Sequence, residues 1–393
     1  MRRDSGTALV VGGTGPTGVP VVAGLLDRGY RVTIMHTGRH ERSEIADQVE
    51  HLHTDPFDVD AVATLLSDRT FDAGLVMYGR LRALASVVGA RVGKLVTVGG
   101  VPALRGYGDP DLLRPQGLRV PTFEDAAVTT FGGQEPVNEK AAKIVETEQA
   151  VFGAEPTATH FRYPLVYGPH QLIPREWMIV RRVLDARRQI IVPDDGLQLR
   201  SAVFVENAAH ALLLAVDLPD VSAGQIYHVS DEGTPTLRQV VEIVAAALGH
   251  EFEIVGLPYS LATPAHPLTG LNGTTHRYTP STKLSRQLGY RDVVPCEEAL
   301  ARTAHWLAEH PPDRGGTVER ALQDPFDYAA EDALLAAWQD ARRAVSVAAT
   351  EADPFYVDRY SSGYEDARAR RRTHRAARSA PSPDPEDQVV GDR

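Results

Sequence analysis

Cysteine is nearly absent from this chain of 393 residues: Cys296 stands alone, so there is no internal disulfide and no cysteine-built metal cage. A basic surplus is missing too. Lys and Arg number 41 against 52 Asp and Glu, giving a net charge of −11 and nothing left over to displace counterions from a polyanion. Nucleic acid is therefore not expected as a partner. No apolar run approaches the length that spans a bilayer, so no membrane is expected either. The N-terminal Met1 to Gly6 leads into the first apolar run without a signal-peptide pattern, and a cytoplasmic location is the expectation. A Gly-x-Ser-x-Gly elbow is also missing, which argues against an acyl-transfer hydrolase. What the chain does hold is 43% hydrophobic residues, enough to bury the core of one large α/β domain with a lobe, or of two domains.

The most informative segment lies near the N-terminus. The apolar run Ala8-Leu9-Val10-Val11 ends in Gly12-Gly13-Thr14-Gly15-Pro16-Thr17-Gly18, and a helix-like stretch, Val19 to Leu26, follows. Strand, spaced glycines and helix form the arrangement that receives a dinucleotide. Gly12 permits the tight turn, Gly15 lets the backbone approach a pyrophosphate, and Gly18 lets the helix pack on the strand. The N–H groups that open the helix then face the phosphates.

Strand and helix signals alternate through the first half. Strands are expected at 7–11, 31–35, 73–77 and 94–98, and helices at 19–27, from 61 and between the last two strands. Near-continuous apolar strands imply burial on both faces, as in a parallel sheet. The stretch 101–136 is rich in Gly and Pro and reads as a functional loop. Helix returns at 137–152, and a strand follows at 159–162. Later segments alternate less regularly: helices at 177–188, 205–216, 237–248 and 295–309, with strands at 190–192 and 225–229. Residues 327–344 read as an amphipathic helix. From Ser361 the chain is charged and poor in apolar residues, and its run Arg368-Ala369-Arg370-Arg371-Arg372 belongs to a disordered tail. The fold class is α/β: a Rossmann-type doubly wound parallel sheet, a smaller C-terminal substrate lobe and a disordered tail.

Four motifs in order resemble the extended short-chain dehydrogenase/reductases, the NAD-dependent epimerases and dehydratases. The glycine turn is the first. Arg162-Tyr163-Pro164-Leu165-Val166-Tyr167-Gly168-Pro169 is similar to the family's Arg-Pro…Tyr-Gly-Pro segment. Arg200-Ser201-Ala202-Val203-Phe204-Val205-Glu206-Asn207 resembles the segment whose Arg contacts substrate phosphate. Ser281-Thr282-Lys283 with Leu288-Gly289-Tyr290 is similar to the closing Leu-Gly-aromatic turn. The resemblance spans about Thr7 to Glu309. It implies an NAD(P)-binding domain over 1–170, completed by parts of 200–250, and a mixed Rossmann and substrate-binding lobe over 171–312. A helical extension over 313–360 and the tail over 361–393 lie outside it. A homodimer is an expectation of the resemblance alone.

The resemblance implies cofactor contacts from Gly12, Thr14, Gly15, Pro16, Thr17 and Gly18. An NAD-preferring site carries an acidic residue after the second strand. Here that place holds His36, followed by Thr37, Gly38 and Arg39, and Arg39 suits a 2′-phosphate. NADP is the expected cofactor and NAD the alternative. Asp55 resembles the family aspartate near the adenine, and Met77-Tyr78-Gly79 replaces the usual Asn-Ala-Gly, which makes Tyr78 a further cofactor candidate.

The catalytic pattern departs from the family. Its acid/base is a Tyr four residues before a Lys, which lowers the phenol's pKa. No Tyr of this chain has a Lys four positions on: Lys140 has Pro136 there, and Lys143 has Glu139. Gly99-Gly100-Val101 replaces the Ser/Thr that usually follows the fifth strand. Lys140 remains the candidate ribose-binding lysine. Glu139, Tyr107, Tyr167 and His170 are candidate proton donors. For the substrate, the candidate walls are the 101–136 loop, Tyr163 to Arg175 and the Arg200 segment, with Tyr163, His170, Arg175 and Arg200 as contacts; Trp177 offers a ring or plain core packing. No metal site is expected, because His51 and His53 have no third ligand at suitable spacing after them. The resulting expectation is an NAD(P)-dependent oxidoreductase or epimerase-dehydratase-like enzyme that acts on a small polar metabolite by hydride transfer without the usual tyrosine. The alternatives are a non-catalytic NADP-binding redox sensor or scaffold and, less favoured by the charge, an RNA-binding relative.

Overall fold

Strand β1 (Thr7–Val11) is buried at every position after Thr7, which is why its run of small and branched apolar residues carries no polar alternation. The computed structural model describes residues 6–38, 46–77, 81–130, 138–269 and 273–351. Helix α1 (Gly18–Asp27) follows the glycine turn, and β2 (Arg31–His36), β3 (Glu50–His53), α2 (Val59–Leu65), β4 (Phe71–Val76), α3 (Leu81–Gly89) and β5 (Val92–Gly100) continue the alternation. After the long loop come α4 (Glu139–Ala154), β6 (Thr159–Tyr163), β7 (Leu165–Tyr167), α5 (Trp177–Leu184), β8 (Gln189–Pro193) and β9 (Ala202–Phe204). The chain then forms α6 (Val205–Asp217), β10 (Ile226–His228), α7 (Leu237–Ala247), β11 (Glu253–Leu257), α8 (His266–Thr269), α9 (Thr282–Leu288) and α10 (Cys296–Glu309). Two further helices, α11 (Thr317–Leu322) and α12 (Tyr328–Glu351), lie beyond it.

The main sheet has seven parallel strands in the order β10-β6-β5-β4-β1-β2-β3. Val21, Val22 and Leu25 of α1 and Leu212, Leu213 and Val216 of α6 cover one face over Val10 and Ile34. Val62 of α2, Leu84 and Val88 of α3 and Val151 of α4 cover the other over Leu9 and Met35. Helices on both faces make the sheet doubly wound, as the strands' composition implied. The strand order reverses between β1 and β4, so a crevice opens at the carboxyl ends of those strands, where ligands bind in such sheets.

Two small parallel pairs, β7 with β9 and β8 with β11, frame the C-terminal lobe. Gly289 takes the left-handed conformation at the end of α9 (φ 71°), and Tyr290 beside it is fully buried, so the Leu-Gly-aromatic turn closes the body as its residues suggested. The helix expected at 177–188 stops at Leu184, and Ala186 turns the chain with φ 54°. The loop expected over 101–136 holds only short 3-10 turns at Val101–Ala103 and Pro110–Leu112 among its described residues.

Beyond α10 the contacts change character. Arg182 of α5, 2% exposed, pairs with Asp324 at 2.7 Å and with Glu331. Arg181 pairs with Glu319, whose carboxylate also accepts from the Trp177 indole N–H at 3.0 Å. Tyr328 donates to Asp185 at 2.7 Å, and Arg314 reaches the same carboxylate. Residues up to Leu335 make one compact unit, and the chain from Ala336 makes a second. The amphipathic helix expected at 327–344 begins at Tyr328 and extends to Glu351, while the tail from 361 lies outside the described residues. Among the described residues no helix is long and apolar enough to cross a membrane.

Candidate functional site

The glycine turn sits at the crevice, and its glycines differ in what they leave room for. Gly12 holds φ at 96°, a conformation that side chains disfavour. A Cβ on Gly18 would lie 2.4 Å from the Gly12 carbonyl oxygen, so only glycine lets α1 start this close to the turn. Gly15 is different: a Cβ there would meet only the Gly12 oxygen, at 3.5 Å, and otherwise enter open space. The protein itself does not require glycine at position 15. Among the described residues, room is left there for an external group to approach the backbone at the opening of α1. Thr17 at the helix start makes no side-chain cap; its hydroxyl lies 3.8 Å from the Met77 sulfur.

At the end of β2, His36 is 6% exposed, with Nε2 2.8 Å from His51 Nδ1 and the Gly38 N–H donated to its Nδ1 at 3.2 Å. His53 completes the group, and the three rings offer ligand atoms that all lie within 4.8 Å of one another. The spacing after His51 and His53 did not show a third imidazole near them; His36 precedes the pair in sequence and reaches it across the sheet. Parallel register is the cause. His36 pairs with His53, and Ile34 with His51, so the three imidazoles emerge on one face. The signal was present in the sequence but spread over two strands. Asp55 accepts from the Phe57 N–H at 2.9 Å in a turn after β3. Arg39 and Tyr78 lie outside the described residues.

The candidates for proton transfer are scattered. Lys140 and Glu139 are exposed on the first turn of α4, where Asn138 caps the helix by accepting from the Lys140 and Ala141 N–H groups. Glu139 pairs instead with Lys143, at 3.7 Å. Tyr107 is 4% exposed in a small cluster with Val101 and Leu104, and its carbonyl accepts from Arg277 Nε at 2.9 Å. Tyr167 is 1% exposed and donates to Asp231 at 2.6 Å, and burial beside that carboxylate pushes its phenol far above the ordinary range. Asp231 also accepts from the Phe204 N–H and the Asn207 amide, while burial holds its carboxyl up at about 6. The Gly99 position, where the resemblance expects Ser or Thr, is occupied from the side: a Cβ there would lie 2.4 Å from His160 Nε2. His160 is fully buried, bonded to the Thr97 hydroxyl at 2.8 Å, and pushed down to about 3 by its burial.

A cavity in the C-terminal lobe gathers several expected residues. Its apolar wall includes Leu165, Met178, Ile179 and Leu268, and its polar groups include Arg175, Arg200, Gln198 and Thr234. Arg175 donates to the Pro267 carbonyl and Arg200 to that of Thr269. Burial, then repulsion from Arg200, lowers the Arg175 guanidinium to about 10. Arg200 Nε, Gln198 Oε1 and Thr234 Oγ1 are buried without a hydrogen-bond partner among the described residues, and all three belong to cavity-lining side chains. Such groups are costly unless something else satisfies them. Sequence reasoning missed Gln198 and Thr234, whose types carry no signal until the fold brings them together. Tyr163 and His170 do not line this cavity. Tyr163 is buried with its hydroxyl on the Ala208 carbonyl, and the His170 ring packs 4.9 Å from that of Trp306. Trp177 is core packing, 2% exposed.

Residues 140–230 match the model of the NAD dependent epimerase/dehydratase family. The uncharacterised protein YbjS of Escherichia coli is 26% identical over 173 residues, 39% of this chain and 50% of that protein. UDP-D-apiose/UDP-D-xylose synthase 2 of Arabidopsis thaliana is 24% identical over 36% of this chain and 37% of its own length. The chain thus spans about half the length, or less, of the curated relatives it matches. Among solved structures, UDP-glucose 4-epimerase of Thermotoga maritima with UDP-glucose covers 78% of this chain and all of its own, with a TM-score of 0.60 and 18% identity. WbmH of Bordetella bronchiseptica, in complex with NAD+, covers 79% of this chain and all of its own at the same TM-score and identity. The solved neighbours show that the chain has a Rossmann-type α/β fold, and over residues 140–230 its sequence matches the model of the NAD dependent epimerase/dehydratase family.

Proposed function

We propose that this protein is an NAD(P)-dependent oxidoreductase of the epimerase/dehydratase kind, acting on a small polar metabolite that carries a phosphate or diphosphate. A nucleotide sugar is the substrate class that fits best. The observation that carries this reading is the lobe cavity, where Arg175 and Arg200 stand beside buried, unpartnered polar atoms in an otherwise apolar wall. Guanidiniums of this kind suit phosphate oxygens, the amide and hydroxyl suit a polar ring, and the apolar wall suits a base or sugar face. Relatives whose names include UDP-sugars support the same class.

Gly12, Gly15 and Gly18 with the opening of α1 would hold the dinucleotide's pyrophosphate, and the open space at Gly15 fits it. His36 and Arg39 are the proposed ribose-side contacts, with NADP preferred over NAD, and Lys140 is the proposed anchor of the nicotinamide ribose. When bound, the nicotinamide supplies hydride donor and acceptor chemistry. The proton must then be handled without a Tyr-x-x-x-Lys pair. Tyr167 is tied to Asp231 and Tyr107 is packed away, so exposed Glu139 and half-buried His170, whose ring packs on Trp306, are the remaining candidates of those named from sequence. A second reading, an NADP-binding sensor without turnover, draws on the same two buried tyrosines. Calorimetric titration with NADPH, NADP, NADH and NAD, followed by a screen of UDP-sugars, tests both. Micromolar binding of one pair and turnover of a UDP-sugar support the enzyme, binding without turnover favours the sensor, and no binding overturns both.

A further inference from the structure

A ribose contact proposed for His36 does not account for the grouping of three histidines at the carboxyl ends of β2 and β3. We propose that His36, His51 and His53 form a binding site for a divalent transition-metal ion of the zinc, cobalt or nickel class. Among the described residues the group holds three imidazoles and no carboxylate, a donor set for such ions rather than for magnesium or calcium. Their candidate ligand atoms already lie within 4.8 Å of one another. Nitrogens bound tetrahedrally at ~2.0–2.1 Å from zinc are about 3.3 Å apart. The His36 Nε2 to His51 Nδ1 distance of 2.8 Å therefore needs to widen by only about half an ångström. His36 is buried, His51 half-buried and His53 exposed, so the site is anchored on its inner side and open to solvent on the outer.

The backbone sets this up. Parallel register places the three side chains on the face of Ile34, with His36 at the buried end of β2 and His51 and His53 beside it on β3. Gly38, with φ 76°, turns the chain over the group, and a Cβ there would come within 3.6 Å of the His53 ring. The Gly38 N–H on His36 Nδ1 assigns that ring's proton to Nε2, which faces His51 Nδ1. Metal uptake at Nε2 moves this proton to Nδ1, with no net proton lost, and the Gly38 N–H turns away. The bound ion would stand beside the glycine turn, whose Gly12 N–H reaches the Met35 carbonyl at 3.4 Å.

The test is a titration of the full chain, free of dinucleotide, with ZnCl2 by calorimetry and with CoCl2 by visible absorption. Because no cofactor is present, its outcome is independent of the proposed enzymatic reading. One equivalent with a tetrahedral cobalt band is expected. His51→Ala and His53→Ala, at accessible positions, should each weaken binding by at least about tenfold, and the Gly38 amide resonance should shift on zinc addition in the unmodified protein. No uptake at 100 µM metal, or affinity equal to the unmodified chain in both variants, overturns the site. His36→Asn serves as a further variant if either alanine form proves unfolded.

Discussion

The seven-stranded sheet and the segment that packs on α5 are held by opposite means. In the sheet and the helices that cover it, Leu9, Val10, Leu25 and Leu212 are fully buried among other apolar side chains. Around α5, buried charges stand among apolar residues such as Met178 and Ile179: Arg182, Glu319, Asp324 and Glu331 are all at most 5% exposed. An apolar core is forgiving of pH and tolerates changes that preserve volume. A buried ionic cluster is conditional: it holds only while every partner is present, because each charge taken out of water needs its counterpart. A scaffold held by apolar packing thus carries an attachment held by paired charge.

The largest expected effect comes from breaking the ionic side. Arg182→Ala strands Asp324 and Glu331 in the interior and should cost about 3–5 kcal/mol, read from urea unfolding. Arg182→Met, which also leaves two carboxylates unpaired, should be rescued in part by adding Asp324→Asn and Glu331→Gln. Failure of that rescue would show that packing rather than charge holds the segment.

Leu9→Ala probes the other side and should cost about 2–5 kcal/mol, with a loss that stays constant between pH 5 and 8. Acid should sharpen the contrast. Burial raises the carboxyls of Asp185 and Glu319, but hydrogen bonds outweigh it and hold both below the ordinary carboxylate range, with Tyr328 and Arg181 donating to the first and Arg181 and the Gly315 N–H to the second. A depressed folded-state value means that their stabilisation is present above the ordinary carboxylate range and is lost as pH falls through it. The segment should therefore loosen below about pH 4 while the sheet's far-ultraviolet signal persists. Trp177, whose indole is bonded to Glu319, is the fluorescent reporter. A single transition seen by both probes would refute the separation.

Gly15→Asp should leave the unfolding midpoint nearly unchanged, since open space receives the side chain, yet abolish dinucleotide binding. Unchanged affinity would remove the pyrophosphate reading. The smallest expected effect is at Lys140→Ala, an exposed helix position: stability within about 0.5 kcal/mol and a severalfold loss of dinucleotide affinity.

What the sequence revealed follows the same division. β1, β2, β4 and β5 were legible because burial on both faces demands unbroken apolar runs, and the glycine turn because its steric demands admit one residue type. β3 was not, since Glu50-His51-Leu52-His53 buries only Leu52 deeply. The three-residue strands β7 and β9 are too short to show a period. The ionic segment was invisible because Arg182 and Glu331 are 149 residues apart and each alone reads as a surface charge. In the lobe cavity, Arg200 was named from a resemblance and Arg175 from its place in an expected wall, whereas Gln198 and Thr234 depend on a fold that no local pattern encodes.

The His160 ring beside Gly99 also limits how this chain can change. A serine placed at position 99 would set its Cβ 2.4 Å from a buried imidazole that is itself bonded to Thr97. At position 100 the Pro102 ring stands 3.0 Å from the same construction. A side chain at position 99 therefore needs the His160 imidazole of β6 to move, whereas at position 100 the Pro102 ring must give by only a few tenths of an ångström. Restoring a hydroxyl at position 99 thus calls for a paired exchange across two neighbouring strands.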